Sequence, residues 1–113
     1  MLAKENRLRK QNDFEAVFKT GRYLRGIFLS LKAAKNNLPQ SRFGIIVSAK
    51  VSKKAVIRNK IKRRLRHIIY RRLPEMKEGF DVAVIAAPAA AEKTFAEIAA
   101  ELNNLLEKGK LLK

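Results

Sequence analysis

Apolar positions along the chain follow two periods. Phe14, Val17 and Phe18 are spaced as on one helix face. Asn12 stands where a cap belongs, Glu15 completes a capping-box pattern and Gly21 can end the element. A first helix is predicted over 12–20. "YLRGIFLSLKAA" alternates instead: Ile27, Leu29 and Leu31 share one face, while Gly26 is read as a bulge or kink between two short strands. "NNLPQS" is a turn and "RFGIIVSA" a further strand with a buried run at Ile45, Ile46 and Val47. A long helix is predicted from Ser52 to Leu73, stopped by Pro74. "GFDVAVIAAP" is a nearly all-apolar strand, which suits a covered sheet interior. Thr94 and Glu97 form a second capping-box pattern. Behind them Phe95, Ile98, Ala99, Leu102, Leu105 and Leu106 make an apolar stripe, with Gly109 past its end.

The order α-β-β-β-α-β-α predicts an α/β (α+β) two-layer sandwich, one four-stranded mixed sheet with helices packed on it. The third strand, long helix and last strand form a βαβ unit, right-handed by default. The length of 113 residues suits one domain with a modest core. Residues 1–113 are read as a single RNA-binding domain, with 1–10 and 108–113 as flexible ends.

Charge is what turns this fold towards a partner. Residues 16–74 hold seventeen Lys or Arg and no acid, whereas 75–113 hold five bases and seven acids. So one-sided a field is self-repelling and exceeds what solubility asks for. It draws polyanions, of which nucleic acid is the usual one. Cysteine is absent, which excludes disulfides and thiolate metal sites and fits a reducing cytoplasm. Neither a secretory signal nor a membrane span is expected.

The densest segment is "AVIRNKIKRRLRHIIYRR", with eight Lys or Arg. On a helix, Ile57, Ile61, Leu65, Ile68 and Ile69 fall on one side. Asn59, Lys62, Arg63, Arg66 and Tyr70 fall on the other, with Arg58 at the boundary. Surface helices normally intersperse Glu with Lys because like charges at i,i+4 repel. Here nothing relieves Arg58–Lys62 or Lys62–Arg66. Against phosphates the same groups become contacts that release counterions, and arginine forks suit phosphate oxygens and base edges. Asn59 can read a base edge or a 2′-hydroxyl. It can equally bond the backbone at the helix start, and both readings stay open. A membrane-surface helix fits less well, because the apolar side lacks Trp and Phe. His67, the lone histidine, is read as solvated or phosphate-facing. No carboxylate lies in the basic region, so chemistry by an autonomous nuclease is not expected of it.

"RNKIKRRLR" (Arg58–Arg66) resembles the RNR motif of the protein component of bacterial ribonuclease P. "RLRKQNDFEAVFKTG", "RFGIIVSAKVSKKAVIRN" and "GFDVAVIAAP" resemble that family's first helix, the strand leading into the motif and the last strand, in the same order. The resemblance implies a fold like domain 2 of ribosomal protein S5, with a left-handed βαβ crossover in place of the default. It implies a subunit that binds ribonuclease P RNA and the 5′ leader of precursor tRNA, while the RNA does the chemistry with Mg2+. No small-molecule substrate, membrane or protein-held metal is implied. Arg58, Asn59, Lys62, Arg63 and Arg66, with Lys53 and Lys54, would contact the catalytic RNA. Phe14 and Phe18 would line a leader cleft, with Lys32, Lys50, Arg7 and Arg9 supplying charge. Rings at i,i+4 can stack unpaired bases, but most such stripes are core, and Val17 is the better core candidate. One departure concerns the end of the third strand: where the family often has two adjacent bases, this chain reads "SAKV", with Ala49 before a lone Lys50. The alternative is a small structural RNA-binding protein of ribosomal type, which needs the basic helix but no leader cleft.

Overall fold

The computed structural model describes residues 2–113. Four strands, β1 (Arg22–Arg25), β2 (Leu29–Lys35), β3 (Arg42–Ile46) and β4 (Phe80–Ala86), form one sheet in the order β1-β2-β4-β3. The β1–β2 and β2–β4 pairs are antiparallel and β3–β4 is parallel. The helices are α1 (Gln11–Thr20), α2 (Ala55–Arg72) and α3 (Phe95–Lys108). α2 is the crossover that the parallel β3–β4 pair requires.

Alternation along the strands divides the sheet into two unequal faces. Leu29, Leu31 and Ala33 of β2, Phe43 and Ile45 of β3 and Val82, Val84 and Ala86 of β4 point towards α2 and α3. There they meet Ile61, Leu65, Ile68 and Ile69 of α2 and Ile98, Leu102, Leu105 and Leu106 of α3. This is the main core, and it fits the sheet-and-helix sandwich read from the sequence. On the opposite face only α1 lies across the strands, packing Val17 and Phe14 with Leu8 on Ala83. Phe14 seats there because Gly44 has no side chain: a Cβ at Gly44 would collide with the Phe14 ring.

The sheet also sets where α1 begins. Asn12 was expected to cap this helix, but Lys10 occupies the cap position, no side chain caps the end, and Asn12 lies inside the first turn. The cause is tertiary: Leu8 N–H donates to the Phe43 carbonyl (2.9 Å), pinning the chain to the β3 edge just upstream. Gly26 joins two short strands as expected, by a turn and not by a bulge. It opens the β1–β2 turn and donates N–H to the Leu29 carbonyl (2.8 Å). The turn breaks the alternation, so Ile27 is 88% exposed and Phe28 is buried in its place. The Glu101 carboxylate of α3 holds this turn by accepting from the N–H groups of Ile27, Phe28 and Leu29 (3.1, 2.7 and 2.6 Å). α2 starts three residues later than expected, after a turn in which Val51 N–H donates to the Ser48 carbonyl. The α3 capping box forms as read, with Glu97 N–H donating to Thr94 Oγ1 and Thr94 N–H to Glu97 Oε1 (3.2 and 2.9 Å).

Both ends, expected to be flexible, pack against the fold. Leu2, Leu8 and Leu111 are buried. Arg7 bridges Phe43, Leu112 bridges Met76, and Lys77 N–H donates to the Leu111 carbonyl (2.8 Å). Met1 lies outside the described residues.

One ionic cluster ties α1 to the sheet. Arg42 grips buried Asp81 through Nε to Oδ1 (2.9 Å) and Nη2 to Oδ2 (2.6 Å), and extends Nη1 to Asp13 Oδ2 of α1 (3.3 Å). Asn36 Nδ2 adds a bond to Asp81 Oδ1 (2.8 Å). The Asp81 hydrogen bonds raise the Arg42 pKa above its ordinary value, and Asp13 adds to that effect. Removing one partner of a buried pair leaves the other charge uncompensated. Arg42→Ala is expected to lower stability by about 3 kcal/mol, the low end for a buried pair because Arg42 keeps some solvent contact. Asp13→Asn, at the more exposed partner, is expected to cost under about 1 kcal/mol. Urea denaturation measures both, and equal losses for the two would show that Asp81 is not the main anchor. Thr94→Ala, read in the same way, is expected to cost about 1 kcal/mol through the lost cap.

Candidate nucleic-acid interface

α2 presents its charge in three bands. Asn59, Arg63 and Tyr70 point straight away from the sheet and are exposed. Lys62 and Arg66 lie on the flank towards β3 and are half-buried. Lys60, Arg64, His67 and Arg71 lie on the flank towards α3, where Arg64 Nη1 donates to the Lys93 carbonyl (3.2 Å). The local backbone bond open to Asn59 is made instead by Arg58, whose Nη1 donates to the Ser52 carbonyl (2.8 Å). Arg58 thus ties down the turn before the helix and leaves Asn59 outward. Among the described residues, the one acid paired with α2 is Glu75, on Arg72 (2.9 Å). His67 is neither free nor paired with an anion: it is half-buried, with its ring centroid 5.9 Å from that of Phe95. Lys50, Lys53 and Lys54 sit exposed in the turn that leads into the helix.

The other face of the sheet supplies the aromatic surface. Val17 is 1% exposed and takes the core position, while Phe14 is half-buried and Phe18 is 37% exposed. Lys32 of β2 donates from Nζ to the Phe18 carbonyl (2.7 Å) and sits 5.9 Å from the Phe18 ring centroid. It therefore satisfies a carbonyl at the negative end of α1 and steadies Phe18 with one charge. A cation beside a half-open ring suits an unpaired nucleotide, which offers a phosphate and a π face together.

The sequence kept these two surfaces apart, and the fold joins them. Arg66 of α2 and Phe14 of α1 line a single cavity of about 300 Å3, together with Arg7, Arg9 and Gly44. It lies at the β3 edge, where the N-terminal segment bridges the sheet. Arg7 is fixed there by Nε donating to the Leu2 carbonyl (3.0 Å). Among the sequence candidates, Arg7, Arg9, Phe14 and Arg66 therefore come together. Phe18 and Lys32 form a pair further along α1, and Asn59 and Arg63 stand apart on the outer face of α2. The sequence reading missed Arg42, Asp13 and Asp81, which set the position of α1. An Asp at the start of an otherwise apolar strand was the available signal.

Among the described residues, no three His, Asp or Glu side chains gather as a metal site. No helix among the described residues is long and apolar enough to cross a membrane.

The family model described as ribonuclease P matches residues 2–110. A ribonuclease P protein component from Pseudanabaena sp. is 42% identical, over 99% of this chain and 97% of that one. Another, from Acidothermus cellulolyticus, is 42% identical over 94% and 89%. The solved ribonuclease P protein from Staphylococcus aureus superposes with a TM-score of 0.89 at 29% identity, covering 96% of this chain and 98% of that one. The one from Thermotoga maritima gives 0.82 at 35% identity, covering 90% and 96%. These matches span the aromatic helix, the sheet and the basic helix together, and they do not support the alternative of a ribosomal-type structural protein. The chain belongs to the family of the bacterial ribonuclease P protein component, the protein subunit of an endoribonuclease.

Proposed function

We propose that the chain binds ribonuclease P RNA through the outer and β3-side bands of α2, and the 5′ leader of precursor tRNA through the cleft beside α1. Asn59, Lys62, Arg63 and Arg66, with Lys53 and Lys54, contact the catalytic RNA. Arg58 does so with the donors that Ser52 leaves free. Phe14 and Phe18 stack unpaired leader bases, and Lys32, Arg7 and Arg9 meet the leader phosphates, with Lys50 at the strand end. The observation that carries this reading is the shared cavity of Arg66 and Phe14. A strand leaving the RNA-held cleavage site reaches the leader cleft without crossing a neutral surface. Magnesium is held by the RNA, and the work is done in the cytoplasm. The protein's part is electrostatic and positional. It neutralises phosphates brought close together and gives the leader an extra grip that mature tRNA lacks.

Cleavage of precursor tRNA at low magnesium, by the cognate RNA subunit with and without this protein, tests the reading. Strong stimulation is expected, and none would sink it. Arg66→Ala is expected to weaken binding to the catalytic RNA and to lower the salt slope by about one. Phe18→Ala is expected to reduce the preference for precursor over mature tRNA by roughly 5- to 100-fold, the value of one lost stack. If Phe18→Ala melts early yet its folded fraction keeps the full preference, the ring is core and not platform.

A further inference from the structure

A groove of about 570 Å3 opens at the end of the sheet where α1 finishes. Four cations line it: Arg22 of β1, Lys35 of β2, Lys77 before β4 and Lys110 after α3. Thr20 and half-buried Phe80 form part of its wall, and no acid lines it. Its volume lies in the range of pockets that take one nucleotide-sized group, about 300–1,000 Å3.

These charges are not the by-product of one basic helix, since four separate segments bring them together. Two of them belong to the C-terminal third, where acids outnumber bases. Backbone and side-chain bonds fix the meeting. Arg22 Nη2 donates to the Gly109 carbonyl (2.7 Å), and Lys77 N–H donates to the Leu111 carbonyl. Lys110 sits at φ 55°, a left-handed conformation that a non-glycine residue adopts only at a cost. Lys35, Lys77 and Lys110 have no ion-pair partner among the described residues. Glu78, the nearest acid in sequence to Lys77, shares with it a second recess beside Pro74 and Met76, but no ion pair joins the two and Glu78 does not line the groove. Convergent like charge with no acid to relieve it is the signature of an absent polyanion.

We propose that this groove binds backbone phosphates of single-stranded RNA, namely the part of the leader that extends beyond the Phe18–Lys32 cleft. The inference rests on the leader-binding reading above. The groove begins two residues after Phe18, at Thr20, and takes in Lys35 of β2, whose side chain by alternation faces the α3 side of the sheet, opposite to Lys32, so a strand reaches it by rounding the end of the sheet. A strand rounding the end of α1 meets these cations next, and Phe80 supplies the apolar wall.

The test uses the assembled holoenzyme, with precursor tRNAs whose leaders either end within the cleft or run well past it. The triple variant Lys35→Ala, Lys77→Ala, Lys110→Ala is compared with wild type and with the triple Lys→Arg control. For the long leader, the triple Ala variant is expected to lose about tenfold or more in affinity. Its salt slope should fall by about two, the value for three phosphate contacts on a single strand. Short-leader affinity should be unchanged, and the Arg control should behave as wild type. Equal losses with both leaders would place the groove on the catalytic RNA or the tRNA body and overturn the proposal, as would no loss with either. If wild-type protein fails to stimulate even the short-leader reaction, the functional reading falls together with this one.

Discussion

The arrangement depends on one guanidinium. Arg42 lies within the acid-free stretch of the chain, yet it is neutralised twice, by Asp81 from β4 and Asp13 from α1. Both acids come from outside residues 16–74. Without them α1 would rest on the sheet through Val17, Phe14 and Leu8, a small apolar contact, and the Lys32–Phe18 hydrogen bond. A buried charge pair seldom adds much net stability, but it specifies geometry when the two ends must meet in one way. Here the geometry is the angle at which α1 crosses the strands, and hence where Phe14, Phe18 and Lys32 stand.

The same division of labour runs through the molecule. Acids from the flanks serve structure: Glu75 pairs Arg72, Glu97 caps α3, and Glu101 holds the β1–β2 turn by its backbone amides. None of them relieves the outer face of α2. Internal order is secured with few carboxylates, and the cationic surface stays uncompensated for its partner. The body that carries this surface must then be stabilised by apolar burial, at about 25 cal/mol per Å2 removed from water. The fully buried Leu and Ile residues on β2, α2 and α3 supply that burial.

Much of this was legible in the chain. Period and punctuation located the seven elements; most have a strong apolar face, whereas the largely exposed β1 was marked off by Gly26. The α3 capping box was legible because Thr94 and Glu97 satisfy each other locally. Asn12 and Glu15 have the same spacing and failed, because the pinning of Leu8 to the β3 edge overrides a local cap. Ile27 failed for a related reason: alternation holds within a strand and stops at a turn. The bands of α2 followed from helical geometry. The joining of Arg66 to Phe14 did not, since it depends on which strand lies at the sheet edge and on what covers that edge. The packing of Leu2, Leu8 and Leu111 was not legible, because the apolar residues at the two ends are too few to show a period.

The family is that of a nuclease subunit, and the physics explains why a chain with no three metal-ligating side chains gathered among its described residues can be one. Cleaving RNA beside densely packed phosphates is opposed by their mutual repulsion. A protein relieves it by placing fixed cations where mobile ions would otherwise have to condense, and those ions are released when the complex assembles. That role requires charges held apart from their own acids and directed outward by a neutral core. In this fold the sheet performs the separation. One face is given wholly to α2 and α3, and the other is covered by α1 and the segment before it, so that the cations at its edges and the Phe18 ring of α1 stay exposed.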